Sequence, residues 1–217
     1  MMDRMGVVYL VRHGQAHGIA ADDELTELGR RQAAASGAHL RMLAPEAAVV
    51  VSGSFNRQRD TADIIAAQFD PAVPRTVNDD WDEYRADPIG GRFDSFTGTP
   101  KELQTRINEG LRAWITGETD DAVEDFGSYW ARVQRAAADL REIGGPGQTA
   151  IVVTSAGTIT AVLAQLWGVD RTTWPTLASS VVNASLTKLV VGASGVTLIS
   201  FNEHAHLEQP EPLMTYR

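Results

Sequence analysis

Cysteine is absent from all 217 residues. That excludes a disulfide framework, a thiolate nucleophile and a cysteine-ligated zinc site. Long apolar runs are missing as well. The best candidate, Val152 to Val169, is interrupted by Thr154, Ser155, Gly157 and Gln165, well short of the roughly 18–20 apolar residues a membrane span needs. Positive charge is in deficit, with 19 Lys and Arg against 28 Asp and Glu and a net charge of -9. Nucleic acid and anionic membrane, both bound through clustered positive charge, are therefore not expected as partners. Any anionic substrate has to be met by a local cationic pocket. The opening stretch MMDRMGVVYLV has no small-residue cleavage site before Arg12 and His13, so it reads as a first strand rather than a leader, and the cytoplasm is the expected compartment. No phosphate loop ending in Gly-Lys-Ser/Thr, Gly-x-Ser-x-Gly elbow, His-Glu-x-x-His helix or dinucleotide-binding glycine fingerprint occurs, and neither a cofactor nor a metal is expected.

What remains is ordinary globular composition, 43% apolar and 22% charged, over a length that suits one well-buried core. A single domain over 1–217 is expected. Val7 to Val11 is a short, β-branched run without alternation, as in a strand buried on both faces of a parallel sheet. Thr26 can cap a helix from Glu27 to about Met42. A second strand follows at Ala47 to Val51, then a helix from Arg57 to Phe69 and a short strand at Arg75 to Asn78. Gly90, Gly91, Gly98 and Pro100 mark a loop-rich stretch, with helices beyond it at about Lys101 to Trp114 and Phe126 to Ile143. Thr149 to Val153 is another buried strand feeding a helix from about Gly157 to Trp167, and two more strands are expected at Ser185 to Val191 and Val196 to Phe201. Trp114, Trp130 and Trp167 are read as helix-face core. Alternating strands and helices predict an α/β fold with a mostly parallel sheet, whose ligands bind beyond the carboxyl ends of the strands. Three such ends carry distinctive residues: Arg12-His13-Gly14, Ser52 to Arg57, and Thr154-Ser155-Ala156-Gly157.

An imidazole at such a strand end can attack phosphorus when one ring nitrogen is free and the other donates to a fixed acceptor. Three residues alone fit a polar turn equally well. The longer strings do not: VYLVRHGQA from Val8, LTELGRRQA from Leu25, SFNRQRDTADII from Ser54, Trp81-Asp82-Glu83, VVTSAGTITAVL from Val152 and NASLTKL from Asn183 together resemble the histidine phosphatase superfamily, also called phosphoglycerate mutase-like. The resemblance spans most of the chain and implies a three-layer α/β sandwich around a mainly parallel sheet. It makes His13 the phosphorylated nucleophile, with Arg12 and Arg57 as the phosphate clamp; planar guanidinium forks suit the charge spread over a phosphoryl group in flight. Arg59 competes with Arg57, but spacing to Thr61-Ala62 favours Arg57. Glu83 aligns with the general acid, with Asp82 as its competitor, and burial beside Trp81 and Tyr84 would raise its pKa as that role requires.

Departures from the family pattern are also present. Asp60 stands where a glutamine is usual, and Ser54 where a proline is common. Ser155 stands in place of the second catalytic histidine of a Ser-His-Gly-Gly string. Ser155, Ala156 and Gly14 remain candidate phosphate-binding positions, since a helix N-terminus attracts anions. His17, His204 and His206 are alternative histidines of weaker standing, His204-Ala205-His206 is too sparse for a metal site, and Asn183-Ala184-Ser185 fits a glycosylation sequon without secretory context. The resulting expectation is a metal-independent phosphatase acting on a small phosphomonoester through a phosphohistidine on His13. A phospholigand-binding protein with weak turnover, motivated by Ser155, is the alternative, and a phosphoglycerate mutase ranks below both. Residues 85–127 are expected to cover the pocket, with Arg92, Lys101 and Arg106 as candidate contacts. Oligomeric state is open, a homodimer included.

Overall fold

A computed structural model describes residues 5–18, 23–85, 97–118, 123–208 and 211–216. Gly90, Gly91 and Arg92 lie outside the described residues. The sheet has six strands: β1 (Gly6–Arg12), β2 (Val49–Ser52), β3 (Arg75–Val77), β4 (Thr149–Thr154), β5 (Leu186–Gly192) and β6 (Gly195–Glu203). Their order is β3-β2-β4-β1-β5-β6. The first three pairings in that order are parallel, and β5 and β6 add an antiparallel edge next to β1. The order reverses between β1 and β4, so the loops leaving their carboxyl ends diverge to opposite sides and leave a crevice between them.

Side-chain alternation assigns the two faces. On β1, Val8 and Leu10 point into one core, and Tyr9 and Val11 into the other; on β4, Ala150 and Val152 oppose Ile151 and Val153 in the same way. Tyr9, Val11, Ile151 and Val153 pack under α1 (Glu27–Leu43) and α2 (Asn56–Ala66) through Leu40, Ala62 and Ile65. The opposite face is covered by α3 (Pro100–Thr116), α4 (Phe126–Ile143) and α5 (Ala156–Trp167), through an aromatic group that includes Trp114, Phe126, Tyr129 and Trp174. This is the three-layer α/β sandwich. Because the strands near the middle are buried on both faces, they carry no polar alternation.

Local signals account for the element ends. The Thr26 side chain accepts from the Gly29 amide at 3.0 Å, capping α1. Gly168 closes α5 with φ 63°, a left-handed conformation that glycine adopts without steric cost. Trp114 is buried and Trp130 packs against the core from a half-buried position. Trp167 departs from expectation: it is 55% exposed, because it occupies the last turn of α5, where the helix face no longer meets the layer beneath. The short helix α6 (Trp174–Ala178) was not foreseen; at 5 residues it is too brief to show a helical period.

Candidate active site

The loop after β1 is held in place by two glycines. A Cβ on Gly14 would lie 2.3 Å from the Gly29 carbonyl oxygen, and one on Gly29 would lie 2.0 Å from that of Gln15. Both are backbone atoms that cannot yield cheaply, so the loop and the first turn of α1 meet only because neither residue has a side chain. Gly14 donates its amide to Thr61 Oγ1 at 3.0 Å, which ties the loop to α2.

His13 is 7% exposed. Its Nδ1 lies 2.7 Å from the Gly14 carbonyl oxygen, an acceptor, which places the ring proton on Nδ1. Nε2 is thereby left with its lone pair, and Arg57 Nε donates to it at 3.2 Å. Burial, followed by the Arg57 and Arg12 guanidinium groups, pushes the His13 pKa well below the ordinary histidine value, and the bond to Gly14 offsets this only in part. The ring is neutral at neutral pH. Arg57 is itself 3% exposed and lies over the Phe55 ring, 4.8 Å from guanidinium carbon to ring centre. Arg12 reaches the carbonyls of Val181 and, at 3.0 Å, Tyr216. Arg59, the competitor for the clamp, instead borders a separate polar depression beside Asp60 and Asp63.

Glu83 enters from the opposite side of the crevice. Its Oε2 accepts from the Gly157 amide at the start of α5 at 3.0 Å, and its Oε1 from the Tyr84 amide at 3.2 Å. Burial raises its pKa; the Gly157 amide and Arg57 counteract without cancelling the effect. A carboxyl group is thus kept protonated above its usual range, as a proton donor must be. Gly157 is necessary here, since a Cβ at that position would lie 2.3 Å from Glu83 Oε1. Asp82 is fully committed elsewhere. It accepts from the Ser54 amide at 2.5 Å, the Ser54 hydroxyl at 2.8 Å and Arg85 at 2.7 Å. A proline at position 54 could supply neither Ser54 bond, so that departure from the family pattern has a structural use. Asp60 has one too, pairing with Arg30 at 3.2 Å.

The segment that carries Glu83 is gathered by Arg132 of α4. This guanidinium donates to the carbonyls of Asp82 at 2.8 Å and of Asp79 and Glu83 at 3.3 Å. It also binds Glu124 through two bonds, of 2.9 and 2.8 Å. Thr158 adds a bond to the Asp82 carbonyl at 2.8 Å. Sequence reasoning missed Arg132, and its only signal was an arginine on an otherwise apolar helix face.

Ser155 is 1% exposed and turned inward, where its hydroxyl accepts from the Gln58 side chain at 2.9 Å. Gln58 is fully buried and also bonds the Phe55 amide and the Trp81 carbonyl, both at 3.3 Å. Among the described residues, Arg12, His13, Arg57, Glu83 and Ala156 line one cavity of about 380 Å³, together with Tyr84, Gln104, Ile107, Asn183 and Tyr216. Ser155 and Gly14 are not in its lining; Gly14 acts from beneath, through its carbonyl and amide. His17 borders the cavity, whereas His206 stacks on His39 at 4.9 Å on the far side of α1 and His204 bonds back to Asn202. From α3 the lining takes Gln104 and Ile107, and neither Lys101 nor Arg106.

A buried imidazole whose Nε2 carries a lone pair, two arginines beside it and a carboxyl group of raised pKa across the crevice are the parts that phosphoryl transfer uses. The histidine phosphatase superfamily (branch 1) model matches residues 8–204. The chain belongs to that family. By class it is a phosphoric monoester hydrolase. Solved structures agree in fold. Bacillus stearothermophilus YhfR superposes with a TM-score of 0.72 at 20% identity, covering 93% of this chain and 98% of its own. A mutant phosphoserine phosphatase from Entamoeba histolytica, in complex with phosphoserine, gives 0.67 at 22% identity over 93% and 98%. The mycobacterial glucosyl-3-phosphoglycerate phosphatase with inorganic phosphate gives 0.67 at 25% over 93% and 99%. No curated protein is a significant sequence match. Among the described residues, no helix is long and apolar enough to cross a membrane.

Proposed function

We propose that this member of the histidine phosphatase superfamily is a metal-independent, cytoplasmic phosphatase that hydrolyses a small phosphomonoester through a phosphohistidine on His13. One observation carries the reading: His13 Nδ1 is anchored on the Gly14 carbonyl while Nε2 faces the Arg57 guanidinium inside the cavity. On this reading the ester's phosphoryl oxygens take over the guanidinium N–H groups of Arg57 and Arg12, which frees the Nε2 lone pair. Nε2 forms a bond to phosphorus as the ester P–O bond breaks in line, and Glu83 gives its proton to the departing alkoxide. Glu83, now a carboxylate, takes a proton from water as that water's oxygen attacks phosphorus. The P–N bond breaks, and phosphate, neutral His13 and protonated Glu83 are regenerated.

The lowered His13 pKa and the raised Glu83 pKa act together, since each favours the protonation state its role requires. The test is steady-state hydrolysis of 4-nitrophenyl phosphate in excess chelator. Turnover that persists in chelator and is lost in His13→Ala supports the proposal, whereas turnover indifferent to His13 overturns it. The buried, Gln58-bonded Ser155 favours one second reading, a phospholigand-binding protein whose turnover is weak for want of a donor at position 155. Vanadate binding without His13-dependent turnover would select that reading.

A further inference from the structure

Beyond the phosphate end, the cavity changes character. The described lining from α3 is Gln104 and Ile107, and the loop after β3 contributes the Tyr84 ring. Tyr84 is fixed by edge and tilted contacts with Trp114, Tyr129 and Trp174 at 5.6, 5.9 and 5.7 Å, so its position is set before any ligand arrives. A second ring comes from far along the chain. Tyr216 borders the same cavity while 55% exposed, which puts a tyrosine at its lip.

Its placement depends on bonds made by the backbone of 211–216. Asn183 donates its amide to the Thr215 carbonyl at 2.9 Å, and Thr215 Oγ1 donates to Asn183 Oδ1 at 3.0 Å. Gln32 donates to the Leu213 carbonyl at 2.7 Å and to Thr215 Oγ1 at 2.8 Å. Arg12 donates to the Tyr216 carbonyl at 3.0 Å. The segment is thus attached to the β1 loop and to α1, and the same Asn183 donates to the His13 carbonyl at 3.2 Å. With its backbone fixed, Tyr216 has only its two side-chain torsions left to order when it meets a ligand, a low entropic cost for a large contact area.

Building on the phosphatase reading, we propose that Tyr84, Ile107 and Tyr216 form a leaving-group subsite for an uncharged ring, making phosphomonoesters of uncharged, ring-bearing alcohols the preferred substrate class. Aromatic faces and an aliphatic side chain attract a flat apolar or sugar-like ring by area and dispersion. Among the described residues, the arginines of the lining, Arg12 and Arg57, stand with His13 at the phosphate end, and the lining from α3 and the loop after β3, Glu83, Tyr84, Gln104 and Ile107, adds no cation that would hold a carboxylate there. The subsite selects the alcohol portion, whereas Arg12, Arg57 and His13 handle the phosphoryl group common to all candidates.

The test compares three alkyl esters, so that leaving-group chemistry stays similar: benzyl phosphate, glycerol 1-phosphate and 3-phosphoglycerate. The parent is expected to turn over benzyl phosphate with a kcat/KM at least about tenfold above glycerol 1-phosphate, with 3-phosphoglycerate lowest. In Tyr216→Ala the ratio of benzyl to glycerol phosphate should fall about three- to tenfold, through KM, and Tyr216→Phe should restore it. A parent preference for 3-phosphoglycerate, or an equal loss on all three esters in Tyr216→Ala, overturns the subsite. If no ester shows His13-dependent turnover, it is the phosphatase reading that fails. The subsite is then judged by calorimetry on His13→Ala, where it requires benzyl phosphate to bind more tightly than inorganic phosphate and is overturned by equal affinity.

Discussion

Gly157→Ala separates stability from catalysis more cleanly than any change to a catalytic side chain. Position 157 is the second residue of α5, and the added Cβ would lie 2.3 Å from Glu83 Oε1, 2.9 Å from its Cδ and 3.0 Å from its Oε2. The colliding group is the end of a flexible side chain, so the fold accommodates the methyl by moving the carboxyl group about 1 Å. Alanine in a helix gains up to about 1 kcal/mol over glycine, so the melting temperature should hold or rise. If Glu83 is the proton donor proposed above, the donor is thereby moved out of line, and a displacement of that size costs about 100-fold in rate. The loss in kcat/KM, which reports the step that expels the leaving group, should depend on that group: about 100-fold on benzyl phosphate, whose alkoxide needs a proton, and less than about tenfold on 4-nitrophenyl phosphate, whose phenolate needs little help. Steady-state kinetics on both esters, with thermal melting of the same samples, form the assay. Equal losses of kcat/KM on the two esters, or full activity on benzyl phosphate, would refute the assignment of Glu83 as the acid.

Arg132→Met should destabilise the protein by about 2–3 kcal/mol in urea unfolding, because it strands the half-buried Glu124 and uncaps the carbonyls of the Glu83 segment. Its surviving activity should show the same leaving-group dependence as Gly157→Ala, and a loss uniform across esters would reduce Arg132 to a purely structural role. Ser155→His alone should bring no gain, since Gln58 occupies the space its ring needs; adding Gln58→Ala should raise kcat at least about tenfold over Gln58→Ala by itself, given what one transition-state donor contributes. A gain in the single variant would show that the packing argument is wrong. The kcat/KM profile should be bell-shaped. Its acid limb, set by protonation of His13, should lie below the ordinary histidine value of 6.5, and its alkaline limb, set by Glu83, above the ordinary glutamate value of 4.5. An acid limb at or above 6.5 in the parent would contradict the electrostatic account of His13.

What the sequence revealed followed from local constraints. The unalternating runs of β1, β2 and β4 are legible because strands covered on both faces need no polar positions, and the Thr26 cap is legible because capping is decided within one turn. The residues delivered by those strand ends, His13, Arg57 and Ala156, could be named before any geometry was known. Positions fixed by distant partners were not legible. Arg132 is paired with carbonyls some 50 residues away, and the Arg12 bond to Tyr216 spans 204 residues. No window of sequence contains both ends of such a bond. Ser155 misled for the same reason. Its place in the string suggested a side chain facing the cavity, whereas Gln58, buried on the neighbouring helix, holds it inward. Asp82 and Glu83, adjacent and chemically alike, were separated only by their partners, Ser54 and Arg85 for one and the Gly157 amide for the other.

The proposed mechanism rests on transfer of phosphorus to His13. Rapid quenching of the parent with radiolabelled benzyl phosphate, followed by alkaline denaturation and peptide mapping, tests it directly. A base-stable, acid-labile phosphoryl group is expected on the His13 imidazole, formed no more slowly than steady-state turnover and absent in His13→Ala. Efficient turnover with no label on the protein at any quench time, or label on another residue, would contradict it.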